Sequence, residues 1–219
     1  MQLQLRWLTG FLGLAFFAGL SAETAQAISF TCLRNDGFSE SECLIGEAQF
    51  SASLSDLGGG QALLTFSNSG PDPSIITDLY IDDDAGAITG IASIQNGPGT
   101  SFAVGAAPPN LPGGNELSPA FSASFSADAN PPTGTDGNGA DPGESVGLVL
   151  DLAGGVSFAD LENAIGSGSV RLGIHGQGLG STGGSESFVS GGNGVVPEPT
   201  AALLFGLGAA GVALRTRRR

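Results

Sequence analysis

Short stretches in which apolar and polar residues alternate are the feature that most constrains the fold of this chain. Nine such runs occur, at residues 48–54, 61–67, 75–81, 87–94, 101–105, 120–127, 146–152, 170–175 and 186–190. Alternation with a period of two indicates strands that bury one face. Turns between them are supplied by the 37 glycines and 12 prolines among the 219 residues. The pattern therefore predicts an all-β domain.

One helix is predicted among these strands, at residues 157–165. Ser157 is a suitable N-cap and Gly166 a suitable end. About nine strands with one short helix favour an antiparallel β-sandwich of jelly-roll type. We expect this domain to occupy residues 28–175, flanked by an N-terminal signal helix and a C-terminal transmembrane helix.

The charge of the chain excludes one class of function. All seven basic residues are arginines, and the formal net charge is −14. Only Arg34 and Arg171 lie in the long middle part, which carries almost all of the acidic residues. Such a surface repels the phosphates of nucleic acid, so we predict no nucleic-acid partner.

The first 27 residues have the composition of a signal peptide. Arg6 precedes an apolar stretch at residues 7–20, and small residues follow at Ala25 and Ala27. This pattern predicts cleavage by signal peptidase before Ile28. A membrane anchor or a buried helix is the alternative, although the apolar stretch is shorter than the roughly 20 residues that a span needs.

The last residues combine three features in a fixed order. Pro197-Glu198-Pro199 precedes an uninterrupted apolar stretch at residues 201–214, and arginines follow at residues 215 and 217–219. Proline removes backbone donors and keeps the tripeptide extended, while the arginines favour the cytoplasmic side of a membrane. Fourteen helical residues span about 21 Å, less than the roughly 30 Å hydrocarbon core. The segment therefore predicts a weak, temporary anchor, and a plain tail anchor is the alternative.

This arrangement resembles the PEP-CTERM sorting domain, in which a Pro-Glu-Pro tripeptide, an apolar span and an arginine cluster occur in this order. The resemblance covers residues 196–219, and it implies processing by an exosortase-type enzyme of a Gram-negative bacterium that makes extracellular polysaccharide. It further implies a transient stay in the inner membrane, followed by delivery to the cell surface or extracellular matrix. The implied sorting residues are Pro197, Glu198, Pro199, Arg215, Arg217, Arg218 and Arg219.

The middle of the chain, from residue 75 to residue 190, resembles ectodomains that accompany such tails. This resemblance implies no activity. Residues 176–195, which begin inside this region and extend past its end, are rich in glycine, which predicts a flexible linker that lifts the domain off the membrane.

Cys32 and Cys43 are the only cysteines. An even number of cysteines in an exported chain predicts a disulfide between them. Two free buried thiols are the alternative.

Candidate catalytic motifs are weak in this sequence. His175 is the sole histidine, and no Gly-x-Ser-x-Gly sequence accompanies it, so a hydrolytic triad is not predicted. Residues 178–183 match the spelling of a dinucleotide-binding loop, but no helical pattern follows them. We therefore predict that the protein is not an enzyme.

Acidic clusters offer weak candidates for calcium ligands. Asp82, Asp83 and Asp84 are consecutive, and a second group lies in residues 136–144. Solvated acidic turns are the alternative, and no cofactor is predicted. Sugar-binding platforms generally use tryptophan or tyrosine, yet Trp7 leaves with the signal and Tyr80 is the lone tyrosine. The predicted function is therefore structural or adhesive, with a Ca²⁺- or polysaccharide-binding module of the extracellular matrix as the alternative.

Overall fold

The computed structural model describes residues 26–34, 37–191 and 195–196. These residues form twelve strands, two α-helices and a 3₁₀ turn at Gly114–Glu116. The strands are β1 (Gln26–Ser29), β2 (Thr31–Cys32), β3 (Phe50–Gly58), β4 (Gln61–Asn68), β5 (Ile75–Asp83), β6 (Ile88–Asn96), β7 (Phe102–Val104), β8 (Phe125–Ala129), β9 (Ser145–Leu152), β10 (Val170–Leu179), β11 (Gly184–Val189) and β12 (Val195–Val196). The helices are α1 (Glu40–Gln49) and α2 (Phe158–Ser167).

The strands form two six-stranded antiparallel sheets. Sheet A has the order β12-β1-β3-β4-β9-β6, and sheet B has the order β2-β11-β10-β5-β8-β7. Each of the nine predicted runs overlaps one of the strands β3 to β11. The predicted mostly-β, antiparallel fold is thus confirmed, while the jelly-roll order of connections stays a prediction.

Side chains from both sheets meet in one hydrophobic core. Leu64 and Phe66 of sheet A are fully buried, as are Leu79 and Leu172 of sheet B. Full burial of such a side chain stabilises the fold by roughly 1.5–3 kcal/mol. The alternation in the sequence therefore indicates which face of each sheet packs against the core.

The two sheets are connected on both sides of the sandwich. Phe30 carries the chain directly from β1 in sheet A to β2 in sheet B. At the other edge, the Asn96 side chain accepts a hydrogen bond from the Phe102 N–H at 2.7 Å and donates one to the Phe102 carbonyl at 3.3 Å. These contacts join the ends of β6 and β7, so the sandwich is nearly closed.

The predicted helix is present as α2, although it ends later than expected. The Ser157 side chain accepts from the Asp160 N–H, and the Asp160 carboxylate accepts from the Ser157 N–H at 2.8 Å, which forms a capping box. The helix continues through Gly166 and ends at Gly168, whose φ of 78° is left-handed. Gly166 was the wrong end because only Gly168 adopts the backbone conformation of a C-cap.

Helix α1 was not predicted from the sequence. Gly46 interrupts its interior, and glycine destabilises a free helix. In the structure a side chain at position 46 would collide with the ring of Phe188, since an added Cβ would lie 2.1 Å from that ring. The glycine therefore allows α1 to pack closely on sheet B, where it contacts β2, β10 and β11.

The predicted linker over residues 176–195 is wrong for most of its length. Residues up to Val189 belong to the β10–β11 hairpin, and the residues that match the dinucleotide-binding spelling lie in that hairpin rather than before a helix. At Gly176 an added Cβ would lie 2.7 Å from the Phe50 ring. Phe50 packs edge-on against Phe188 at 5.1 Å between ring centroids. Glycine makes room for this aromatic pair, and the domain extends through β12.

The two α-helices of the described residues have ten residues each. In this part of the chain no helix is both long enough and apolar enough to cross a bilayer. The predicted signal helix and the predicted tail helix lie outside the described residues.

Candidate functional site

The two ends of the domain lie next to each other in sheet A. Strand β1 is placed between β3 and β12. Ala27 pairs with Ser53 on one side and with Val196 on the other, and Ile28 pairs with Val195. Ile28 is buried in the core, whereas Ala27 is exposed. The start of the domain in β1 therefore pairs with β12, the strand that directly precedes the C-terminal tail.

The predicted signal-peptidase cut falls inside β1. Ala25 lies outside the described residues, while Ala27 and Ile28 are the second and third residues of the strand. A peptidase requires an accessible, unpaired segment, so a cut at this position must precede the pairing of β1. The shortened strand would still begin with Ile28 and keep its pairs with Ala52 and Val195.

The sorting residues follow β12 directly in the sequence. Pro197, Glu198, Pro199 and the arginines at residues 215 and 217–219 lie outside the described residues. The class of protein so far defined is an antiparallel sandwich whose last described strand is followed directly in the sequence by the Pro-Glu-Pro tripeptide, the apolar stretch and the arginines.

Comparison with known families identifies that segment. Residues 195–219 match the model of the PEP-CTERM protein-sorting motif. The motif marks a protein that an exosortase-type enzyme sorts to the cell surface. No curated protein and no solved structure matches the chain.

The two cysteines form a disulfide, as the sequence predicts. It joins Cys32 of β2 to Cys43 of α1, with 5.3 Å between their Cα atoms. The neighbouring carboxylate of Glu186 accepts a hydrogen bond from the Ser39 N–H at the start of α1. The disulfide therefore fastens a helix of low intrinsic propensity to sheet B.

Replacing both cysteines by alanine is expected to lower the free energy of unfolding by about 3 kcal/mol, from the entropy of a loop of this length. Urea denaturation followed by circular dichroism measures the loss. Wild-type protein treated with reductant is the matched control, and it should lose a similar amount. An unchanged midpoint in both samples would show that α1 is held without the disulfide.

The three consecutive aspartates do not converge on one point. Asp82 is buried, forms an ion pair with Arg171 and accepts a hydrogen bond from the Ser122 N–H at 3.2 Å. The Asp83 carboxylate accepts from the N–H groups of Ala87 and Ile88, at 3.0 and 2.8 Å. Asp84 is exposed. Protein partners thus account for the first two carboxylates.

Arg171 connects sheet B to the loop that covers it. Besides its ion pair with Asp82, the guanidinium donates hydrogen bonds to the carbonyls of Pro119 and Ala120, at 2.8 and 2.6 Å. It also lies over the Phe121 ring, 5.3 Å from the centroid, within the range of a cation–π contact. The arginine therefore fixes one end of the loop formed by residues 105–124.

A second, smaller core lies under this loop. It consists of Leu33, Tyr80, Leu111 and Phe121. Tyr80 is fully buried, donates a hydrogen bond to the Pro108 carbonyl at 3.0 Å, and has its pKa raised by burial. A buried ring cannot stack on a sugar in solvent, so the only tyrosine serves the fold.

His175 belongs to a polar row that crosses sheet B. Its neighbours on adjacent strands are Asp78 and Ser187, and Asp78 in turn pairs with Asp128. The His175 Nδ1 lies 3.0 Å from the Asp78 carboxylate, which also accepts from the Thr77 hydroxyl at 2.8 Å. The sequence could not reveal this row, because its members are separated by long stretches of chain.

Asp128 in this row lies beside the carboxylate of Asp78. Burial, together with the adjacent charge of Asp78, raises the pKa of Asp128. A raised pKa in the folded state means that the folded protein holds a proton that the unfolded chain has released. Asp128 therefore does not lower the free energy of unfolding at a pH below its ordinary pKa of 3.8, where both states hold the proton. As the pH rises above that value, the free energy of unfolding falls.

Asp128→Asn is expected to raise the melting temperature at pH 7 and to change it little near pH 3. The amide removes the charge repulsion at neutral pH but resembles the protonated acid at low pH. Thermal melts across this range measure the difference. Asp84→Asn, at an exposed position of the same acidic protein, controls for the loss of one negative charge. A larger gain at pH 3 than at pH 7 would contradict the assignment.

The second acidic loop borders a cavity of about 320 Å³. Its carboxylates bind backbone groups of the same loop: Asp141 accepts from the Asp136 N–H and Glu144 accepts from the Asp141 N–H, both at 2.9 Å. The pKa of Asp141 is raised, chiefly because its carboxyl group is partly buried. The residues that line the cavity are Pro71, Pro73, Ser74, Ile75, Thr135, Asp136, Asp141, Pro142 and Gly178.

Proposed function

We propose that this protein is a structural or adhesive component of the bacterial surface or extracellular matrix, exported through the inner membrane of a Gram-negative cell and processed at both ends. Signal peptidase removes residues 1–27. The apolar stretch at residues 201–214 then holds the chain in the membrane until an exosortase-type enzyme cuts the tail. The proposed role is not catalytic.

The match of residues 195–219 to the sorting motif carries this proposal. Three properties of the domain support it. The Cys32–Cys43 disulfide suits an oxidising compartment, and the excess of acidic residues in the middle part of the chain favours solubility outside the cell. Within the described residues, every buried polar side-chain atom has a hydrogen-bond partner, as expected of a domain built for stability.

Intact-mass measurement of protein extracted from the cell surface tests the proposal. The expected mass is that of a chain that begins at Ile28, ends within or near the Pro-Glu-Pro tripeptide and lacks two hydrogens at the cysteines. A full-length mass from the cytosol would overturn it. A chain that is cut only at its N-terminus and is found in the inner membrane would support the proposed export but contradict the proposed processing of the tail.

A binding module for Ca²⁺ or polysaccharide is the second candidate. The cavity beside Asp136 and Asp141 favours it, since two carboxylates and the Thr135 hydroxyl border an opening large enough for a small ligand. A thermal melt with and without millimolar Ca²⁺, together with a glycan array, tests this candidate. An unchanged melt and an empty array would remove it.

A further inference from the structure

The strand pairing at the C-terminus determines which end of the domain is close to the membrane. Val195 pairs with Ile28, and Ile28 pairs with Ala52, so that Val196 lies level with Ser53. Both pairs remain after a cut before Ile28. Because β12 is antiparallel to β1 and β1 is antiparallel to β3, β12 runs parallel to β3 in space. The tail therefore leaves the domain in the direction of the β3–β4 turn.

The chain between β12 and the apolar stretch is short. Only residues 197–200 separate Val196 from Ala201. The five steps from the Cα atom of Val196 to that of Ala201 reach about 18 Å at most when fully extended. Gly58 at the β3–β4 turn is likewise five residues beyond Ser53, and thus about 17 Å farther along the sheet. Even a straight connection brings the start of the apolar stretch only level with this turn, and any bend brings the turn closer to the bilayer.

We infer that, while the tail is inserted, the β3–β4 turn lies in the headgroup region of the bilayer and the opposite end of the sandwich faces away from the membrane. This inference rests on the proposed membrane anchoring. The headgroup region is about 7 Å thick on each side of the hydrocarbon core, so a turn level with residue 200 lies within it. The domain is not lifted by a linker.

The composition of the turn suits this position. Leu57 is 47 % exposed, although most large apolar side chains of the domain are buried. Gly58, Gly59 and Gly60 follow it with φ between 64° and 81°, and they form a tight tip without side chains. Asp56 accepts a hydrogen bond from the Gly58 N–H at 2.7 Å. A single apolar side chain therefore projects at the end where the bilayer is expected, with a carboxylate beside it that disfavours anionic lipid.

The cavity lies at the opposite end. It is bordered by residues that follow β4 and precede β9. The eight residues of β4 separate the two ends of sheet A by about 25 Å. The inferred orientation directs the cavity away from the membrane, where extracellular molecules can reach it.

Fluorescence quenching tests the orientation in the exported chain, purified with residues 197–219 retained and reconstituted into phosphatidylcholine vesicles. An environment-sensitive dye is attached to Leu57→Cys at the turn or to Thr135→Cys at the cavity, both exposed sites. Lipids with a nitroxide on the headgroup quench nearby dyes. We expect quenching severalfold stronger at position 57 than at position 135.

Two matched variants make the test specific. A Gly/Ser insertion of about 12 residues between Val196 and Pro197, with a mean extension of roughly 19 Å, should reduce quenching at position 57 to the level at position 135. A chain that ends at Val196 should show quenching at neither position. Equal quenching at both positions in vesicle-bound protein, or quenching at position 57 that the insertion leaves unchanged, would overturn the orientation.

Flotation of the vesicles separates this inference from the proposal beneath it. Protein that floats with the vesicles but shows equal quenching retains the proposed anchoring and loses only the orientation. Protein with an intact tail that does not float overturns both. Vesicles that contain phosphatidylglycerol provide a further arm, in which the charge of Asp56 should weaken quenching at position 57.

Discussion

Deletion of residues 197–219 is expected to abolish retention at the cell surface and to release a folded domain into the medium. The deletion removes the Pro-Glu-Pro tripeptide, the apolar stretch and the arginines, but it keeps Val195 in its pair with Ile28 of β1. The free energy of unfolding should therefore change little. Cell fractionation with an antibody to the domain measures the distribution, and circular dichroism of the released protein measures its stability.

A second variant separates sorting from simple anchoring. Replacing Pro197, Glu198 and Pro199 by alanine leaves the apolar stretch and the arginines intact, so the chain should still insert into the membrane. Without the tripeptide, however, the processing enzyme has lost its recognition site, and the unprocessed protein should accumulate in the inner membrane. Surface delivery of this variant at the wild-type level would contradict the role of the tripeptide.

Arg171→Leu is expected to lower the free energy of unfolding by about 3–5 kcal/mol, the usual cost of leaving one member of a buried ion pair without its partner. The Asp82 side chain is 2 % exposed, and that of Arg171 is 12 % exposed. Removal of the guanidinium leaves Asp82 with one backbone donor, that of Ser122. It also frees the loop over Phe121, so the smaller core should loosen together with the ion pair.

Matched variants identify the cause of that loss. Asp82→Leu combined with Arg171→Leu should be less destabilising than Arg171→Leu alone, because no buried charge remains unpaired. Arg34→Leu removes the other arginine of the domain, whose bonds to Glu40 and Glu47 are exposed to solvent. Exposed ion pairs contribute little to stability. Urea midpoints that are equal for Arg34→Leu and Arg171→Leu would refute the importance of the buried pair.

Much of the fold was predictable because its signals are local. Alternation within a short run identifies a half-buried strand, whichever strand it later pairs with, and each of the nine runs overlaps a strand. Ser157 and Asp160 form their capping box within one turn of helix. The sorting tail is likewise read from consecutive residues, since a tripeptide, an apolar stretch and a cluster of arginines act in that order along the chain.

The structural role of the glycines was the hardest feature to predict from the sequence. A glycine-rich stretch has the same composition in a flexible linker and in a closely packed hairpin. Gly46 and Gly176 are small because the rings of Phe50 and Phe188 occupy the space that a side chain would need. The composition of a segment does not reveal the position of those rings. Helix α1 was therefore missed, and residues 176–189 were assigned to a linker although they belong to the β10–β11 hairpin.

The sequence by itself thus determined the mostly-β class, the helix α2, the disulfide and the sorting tail, because each depends on residue types within a short window or on a pair of unique cysteines. Only the tertiary structure decided how distant segments meet. It placed Arg171 against Asp82 and His175 against Asp78, and it paired β12 with β1. These contacts join residues far apart in the chain, and they are brought together by the register in which neighbouring strands pair. The direction in which the tail leaves the domain follows from that register.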